Sequence, residues 1–434
     1  MKIEKLQEPI DILILFLSFF IQLGKMPFRI DDPFSIEIIL AFGIIFFVVI
    51  QCGGIKLPRQ IEGFGFWITA MFVIAIFVAP YTVGHQIKVL RIGFEAVSFL
   101  YMMIYMIVGY SLSGLQKENR ILRWISYFCL LNASLSVISE ITKYPPFMRM
   151  FYLSEAGIRF QGFSINPNDY MVQALVAFVY FFYSTRESKC FRFFGMVIIV
   201  FSAFAAGSKG GVFALGVFII SGVYKKIMRA INGNGYGRSM MIGLPVVIVI
   251  LIEIIILMGE EIGNEILMLN MQGAERIAEM IKDPLHSFDA NGSDRMITWG
   301  GAWKVFLQSP VIGVGIGNHR EVLNYLDYEF AYETPHSIYL EMLEQSGVLG
   351  TAIVGFLVIK FLKDYKVESE TDRILKGAFV ILLLNGIFFA ADWTLPFWII
   401  VGIMLYRRGG KKILISFRNH MQQCVSNFGA VGGR

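Results

Sequence analysis

Residues 34–52 read FSIEIILAFGIIFFVVIQC, and Glu37 is the only charged side chain among them. A helix of that length covers roughly 28 Å, close to the ~30 Å of hydrocarbon in a bilayer. Its apolar residues lie on every side, so it has no polar face to turn toward water. Working outward, comparable runs lie near 10–24, 63–83, 88–111, 121–141, 168–185, 191–207, 210–228, 240–258, 337–359, 374–391 and 393–406. Together they predict an all-α fold, a polytopic membrane bundle of about twelve transmembrane helices with one long outer loop of short helices.

Composition agrees. Of 434 residues, 56% are hydrophobic and only 16% charged. Soluble domains carry about a quarter charged residues, so a soluble enzyme is excluded. The formal charge of +5 reads as loop charge rather than a nucleic-acid footprint. Cys52, Cys129, Cys190 and Cys424 are scattered, with no CxxC and no Cys/His cluster, so neither a zinc site nor a disulfide framework is expected. Lys2 and Lys5 precede the apolar run Ile12 to Leu23, and Lys25, Met26 and Pro27 follow it. That pattern predicts a retained first span rather than a cleaved signal.

Loop charge sets the orientation. With the N-terminus inside, inner segments hold 25 of the 38 Lys and Arg, and outer segments hold 13, five of them in the long loop. Positive charge favours the cytoplasmic side, so both termini are expected inside. Four stretches result: spans one to nine in 1–258, the long outer loop in 259–336, spans ten to twelve in 337–406, and a basic cytoplasmic tail in 407–434. Within the loop, Ile262, Ile266, Leu269, Gly273, Ile277 and Ile281 are helically spaced and predict one amphipathic interfacial helix over Glu260–Ile281. Asp294 is placed to cap a helix reaching Gln308, with Trp299, Trp303 and Phe306 on one face.

Three motifs fall on outer ends. The first is Arg159-Phe-Gln-Gly162-Phe-Ser-Ile-Asn166-Pro167-Asn168. The second runs Gly292-Ser293-Asp294-Arg295, then Trp299, then Gly313-Val-Gly315-Ile-Gly317-Asn318. The third is Pro335-His336-Ser337-Ile338-Tyr339-Leu340, continuing to Gly347-Val348-Leu349-Gly350. The three glycines at 313, 315 and 317 lack dinucleotide-binding spacing and read as a tight loop of special backbone angles.

In this order the motifs resemble the O-antigen polymerase and O-antigen ligase superfamily (Wzy and WaaL type), over roughly the C-terminal two-thirds of the chain. Where that family often has S-R-G-G, this chain reads Ser208-Lys209-Gly210-Gly211. Lysine keeps the charge but not the bidentate fork of arginine. The resemblance implies a bacterial inner-membrane, GT-C-like glycosyltransferase working on the outer face without metal or cofactor. It would transfer glycan from undecaprenyl pyrophosphate to a lipid-linked repeat unit, or, as a ligase, move polymer to lipid A-core. The partners implied are the lipid-linked oligosaccharide donor and acceptor, membrane lipids, a chain-length regulator and a flippase. Nucleic acid is not among them. The matching residues are His336 as catalytic base and Arg159 and Arg295 on the pyrophosphate, joined by Lys209 and by Arg91 on the same face.

The residue chemistry agrees with those roles. A lipid diphosphate gains negative charge as the glycosidic bond breaks, and guanidinium groups hold phosphate oxygens bidentately. Thr334 and Pro335 predict a helix start that places His336 in its first turn, where the helix end and two arginines would keep the imidazole neutral. Glu341 and Glu344, one to two turns below His336, and Asn168 in the first motif are expected to support the site. His319 is a rival to His336, whereas His85, His286 and His420 look incidental. A metal-dependent enzyme using Asp31-Asp32, and a flippase without catalysis, remain as alternatives.

Overall fold

The computed structural model describes residues 7–23, 36–52, 54–55, 57–80, 88–153, 158–232, 253, 257–283, 287, 295–328, 334–390 and 394–409. In chain order the helices are α1 (Gln7–Phe20), α2 (Ile36–Cys52), α3 (Arg59–Val73), α4 (Val89–Gly114), α5 (Glu118–Thr142) and α6 (Pro145–Phe151). A two-stranded hairpin follows, β1 (Tyr152–Leu153) and β2 (Arg159–Phe160). Then come α7 (Pro167–Tyr183), α8 (Lys189–Ala206), α9 (Lys209–Asn232), α10 (Ala274–Lys282), α11 (Arg295–Gln308), α12 (His319–Tyr325), α13 (Ile338–Asp364), α14 (Glu370–Asn385) and α15 (Leu395–Gly409).

This is an all-α membrane helical protein. Among the described residues, five helices are long and apolar enough to cross a bilayer: Arg59–Val78, Val89–Gly114, Glu118–Thr142, Lys189–Ala206 and Ile338–Asp364. Helices also stand at the other expected spans, except that 240–258 lies almost wholly outside the described residues. Asp31 and Asp32, Asp294, His85, His286 and the tail beyond 409 lie outside them as well.

The centre of the bundle is α7, buried at every position from Tyr170 to Phe181 and packed between α5, α8 and α14. Such a helix needs apolar residues all round, which is why it shows no amphipathic stripe. Helices α4 and α15 pack along each other to backbone contact. A Cβ on Gly109 would lie 2.1 Å from the Ile399 carbonyl oxygen, and one on Gly402 2.0 Å from that of Met106. Small residues let membrane helices approach to backbone contact, where dispersion rather than water exclusion holds them.

The expected helix over Glu260–Ile281 is divided in two. Residues 257–268 are helical, Asn270 and Gly273 take φ of +47° and +77°, and α10 starts anew at Ala274. Left-handed residues end a helix, and Glu140 holds this break in place. Its carboxylate accepts from the backbone N–H of Gln272, while Lys143 donates 3.0 Å to the Asn270 carbonyl. Periodicity ran through the break because Gly273 falls on the apolar stripe.

Candidate functional site

The N-terminus of α7 is built by the first motif. Asn166 caps the helix, its side-chain oxygen accepting from the N–H groups of Asn168 and Asp169, with Pro167 in the first turn. The hairpin lays Arg159 beside it, pairing Leu153 with Arg159. Arg159 Nε donates 2.9 Å to the Ala206 carbonyl at the end of α8, and Nη2 donates 3.3 Å to Asn168 Oδ1. The same Oδ1 accepts from Ser208 Oγ at 2.9 Å. Asn168 therefore couples the first motif to the Ser208-Lys209 turn.

That turn is pressed against the break before α10. Gly207 caps α8 in the left-handed region, and a Cβ there would meet the Gly273 carbonyl oxygen at 2.9 Å. A Cβ on Gly273 would in turn lie 2.3 Å from the Ala205 carbonyl oxygen. Two glycines, both at positive φ, bring α10 close enough for the Arg276 charge to act on Lys209 and Arg159. Lys209 Nζ itself donates to the Ser287 carbonyl.

Arg295 opens α11 and lies over the Phe388 ring, 5.6 Å from its centroid. Its Nη1 is buried with no hydrogen-bond partner among the described residues. Trp299, one turn on, stacks on Phe388 and donates its indole N–H 3.0 Å to the Pro335 carbonyl. This contact holds the segment carrying His336.

His336 does not sit in a first helical turn. Helix α13 begins at Ile338 with Ser337 at the N-cap, and His336 precedes it at φ +49°. Pinning on both sides explains the difference: Trp299 holds Pro335, and Ile338 donates its N–H 2.9 Å to the Gly386 carbonyl. A left-handed residue other than glycine costs about 1–3 kcal/mol and persists where the surroundings impose it, often at functional sites. Solvent reaches the ring, yet burial is the main cause that lowers its pKa below the ordinary 6.5, with the Arg295 charge second. One arginine and burial keep the imidazole neutral, in place of the helix end and two arginines expected.

Four cations thus gather at one end of the bundle, with relative exposures of 7% for Arg159, 4% for Lys209, 7% for Arg276 and 9% for Arg295. Burial, then Arg276 and Arg295, push Arg159 down to about 9. Burial and Arg276 push Arg295 down to about 10. Burial also lowers Arg276, against the pull of Glu279. All three arginines stay charged at neutral pH. Among the described residues, no carboxylate forms an ion pair with Arg159, Lys209 or Arg295. Buried cations without a paired carboxylate destabilise a fold, so Arg159, Lys209 and Arg295 are suited to receive a multivalent anion. Arg276 was not singled out from the sequence, where it reads as the polar residue beside Ile277 on an amphipathic helix. The available signal was an arginine one turn after a helix-breaking glycine.

Other candidates stand elsewhere. Arg91 faces Glu321 at 3.9 Å, and Lys88 meets the same carboxylate at 3.0 Å. Glu344 is fully engaged with His319, whose Nδ1 lies 2.7 Å from its Oε2. The loop through Gly313, Gly315 and Gly317 has φ near +75° at each glycine, as its spacing predicts. It docks on the kink of α13, where the N–H groups of Val314 and Gly315 donate 2.9 Å to the Glu344 and Gln345 carbonyls. Glu341 is buried in the first turn of α13. Among the described residues, no group of three or more His, Cys, Asp or Glu is placed to hold a metal ion.

The family model Wzy_C, described as O-antigen ligase, matches residues 194–355. No curated protein and no solved structure matches the chain. The matched segment contains Lys209, Arg276, Arg295 and His336 together with the second and third motifs, and it supports the resemblance of the chain to the O-antigen polymerase and ligase superfamily.

Proposed function

We propose that the chain is a polysaccharide polymerase of the bacterial inner membrane. It takes glycan from undecaprenyl pyrophosphate and extends a lipid-linked repeat unit on the outer face, with both termini cytoplasmic. The observation that carries this reading is the meeting of Arg159, Lys209, Arg276 and Arg295, with His336 beside Arg295. The cations hold the diphosphate and gain strength as charge builds on the departing oxygen. His336 takes the proton from the acceptor hydroxyl, the acceptor oxygen bonds to the anomeric carbon, and the bond to the diphosphate breaks. General base catalysis of this kind supplies roughly 10²–10⁴-fold. The rest comes from the clamp and from alignment of two membrane-held substrates. No metal or cofactor enters the scheme. The reading implies a flippase to deliver both lipid-linked substrates and a chain-length regulator alongside.

A second reading is favoured by the description of the matching family: a ligase that moves finished polymer to lipid A-core or another acceptor. The lipid and glycan profile of a deletion strain separates the two. Single repeats attached to the final acceptor support the polymerase; intact polymer left on undecaprenyl pyrophosphate supports the ligase. His336→Ala protein, present in membranes at normal level, is expected to make only single-repeat product. Long polymer from that variant removes His336 from the mechanism.

A further inference from the structure

Asp169 is the neighbour of Asn168, but it faces a different space. It lines a cavity of about 340 Å³ bounded by α1, α2, α4, α7 and α15. That volume lies within the roughly 300–1,000 Å³ of small-molecule sites. Its walls include Ser98, Tyr101, Ser164, Asp169, Gln173 and Trp398, and neither Lys nor Arg is among its lining residues. Ser164 Oγ and Gln173 Oε1 are buried and find no hydrogen-bond partner among the described residues. The Gln173 amide is oriented by its Nε2, which donates 3.0 Å to the Ile21 carbonyl.

These walls discriminate between ligands. A diphosphate needs cations, and the cavity presents none. A polyprenyl chain needs apolar walls, and this lining carries the carboxylates of Glu37 and Asp169. A pyranose ring has apolar C–H faces that suit flat aromatic surfaces, and hydroxyls that both donate and accept. Tyr101 and Trp398 line it for the first, and Glu37, Ser98, Ser164, Asp169 and Gln173 give it polar walls for the second. The cavity shares the first turn of α7 with the Asn168–Arg159 contact, through the adjacent residues Asn168 and Asp169.

From this juxtaposition we infer that the cavity is a sugar subsite, holding a pyranose ring of the glycan whose diphosphate the four cations bind. The inference rests on the proposed diphosphate site for its orientation, though not for its sugar chemistry.

The test uses the full chain in lipid nanodiscs and two probes. One is the free repeat-unit oligosaccharide released from the host's lipid-linked intermediates; the other is undecaprenyl diphosphate without sugar. Gln173→Met removes the amide at nearly constant volume, and Ser98→Phe fills the cavity. Both are expected to weaken oligosaccharide binding about tenfold or more while undecaprenyl diphosphate binds as before. Ser164→Ala, which only removes a hydroxyl, is expected to weaken the oligosaccharide severalfold and guards against misfolding of the larger changes. Oligosaccharide affinity unmoved by Gln173→Met and Ser98→Phe overturns the inference. So does loss of undecaprenyl diphosphate binding in Ser98→Phe, which would give the cavity to the lipid chain, and so does a wild-type protein that does not bind the oligosaccharide. Arg295→Ala reports separately on the diphosphate: if it leaves undecaprenyl diphosphate binding intact, the proposed function fails while the sugar arm still reads the cavity.

Discussion

At one end of the bundle Arg407 donates to Asp372 Oδ1 at 2.6 Å, to Glu118 Oε1 at 2.8 Å and to Ser369 Oγ at 2.8 Å. Tyr365 adds a hydrogen bond to the same Asp372 oxygen. At the other end Arg295 meets Phe388, three more cations and no carboxylate within ion-pair distance among the described residues. Helices α5 and α14 run from the first place to the second, so one scaffold houses both. The first arrangement is complete in itself and ties α5, α14 and α15 together. The second has no carboxylate within ion-pair distance of Arg159, Lys209 or Arg295 among the described residues, which is the feature that the proposed function uses. Charge that is already matched serves the fold, and charge left unmatched under burial serves a ligand.

The largest expected effects separate these ends. Arg295→Gln is expected to lower turnover by about 10²–10³ while leaving the thermal midpoint of the ligand-free protein unchanged or higher. Asp372→Ala is expected to lose about 3–5 kcal/mol of stability, because the partly buried Arg407 is left with Glu118 as its one remaining carboxylate, while turnover per folded molecule persists. Thermal unfolding in detergent and an in vitro polymerisation assay read both variants. Equal destabilisation by the two would make the Arg295 cluster structural and break the contrast. Acid sharpens it. Burial raises the Asp372 carboxyl, but hydrogen bonds from Arg407 and Ser369 outweigh that and hold it at about 2. A depressed carboxylate stabilises above its ordinary value of 3.8 and loses that contribution as pH falls through about 2. Unfolding followed between roughly pH 4 and pH 2 should show this loss in wild type and not in Asp372→Ala.

A smaller effect comes from supplying the missing charge. Asn168 Oδ1 already accepts from Arg159 and Ser208, so Asn168→Asp keeps the shape and adds a carboxylate at the first turn of α7. The helix N-terminus and Arg159 both favour it, and a stability gain of about 1–2 kcal/mol is expected. The same carboxylate competes with diphosphate, so turnover should fall about tenfold. Gained stability with full activity would show that Arg159 does not need to be free for substrate.

The membrane helices could be read along the chain because hydrocarbon imposes length and polarity on each segment separately. The positions of Arg159, Lys209, Arg295 and His336 at one end followed from the same span counting. What periodicity does not carry is pairing between distant segments. Arg91 meets Glu321 and Glu344 meets His319 because α12 and the glycine loop dock against α4 and α13, a contact with no local signature. Arg276 is brought close by Gly207 and Gly273, which lie 66 residues apart in sequence. His336 departs from a helical start because Trp299 and Gly386 hold the backbone on either side. Local capping chemistry favoured the helix, and tertiary contacts overrode it.

The subtlest consequence of the contrast is a small shift at His336. Diethylpyrocarbonate modifies neutral imidazole and not imidazolium, so its rate against pH reports protonation even in an inactive protein. The His336-specific rate, taken as the difference from His336→Ala, should have its midpoint below 6.5, because burial and the Arg295 charge both disfavour the cation. Arg295→Gln removes the charge and leaves the burial, so the midpoint should rise toward 6.5 without passing it. Asp372→Asn alters charge at the Arg407 end, whose groups are not among the charges acting on His336, and should leave it in place. A wild-type midpoint above 6.5 would place imidazolium at the site and remove His336 as a base at neutral pH. A midpoint that ignores Arg295→Gln would separate the base from the cations, and with it the physical link between proton removal and diphosphate departure.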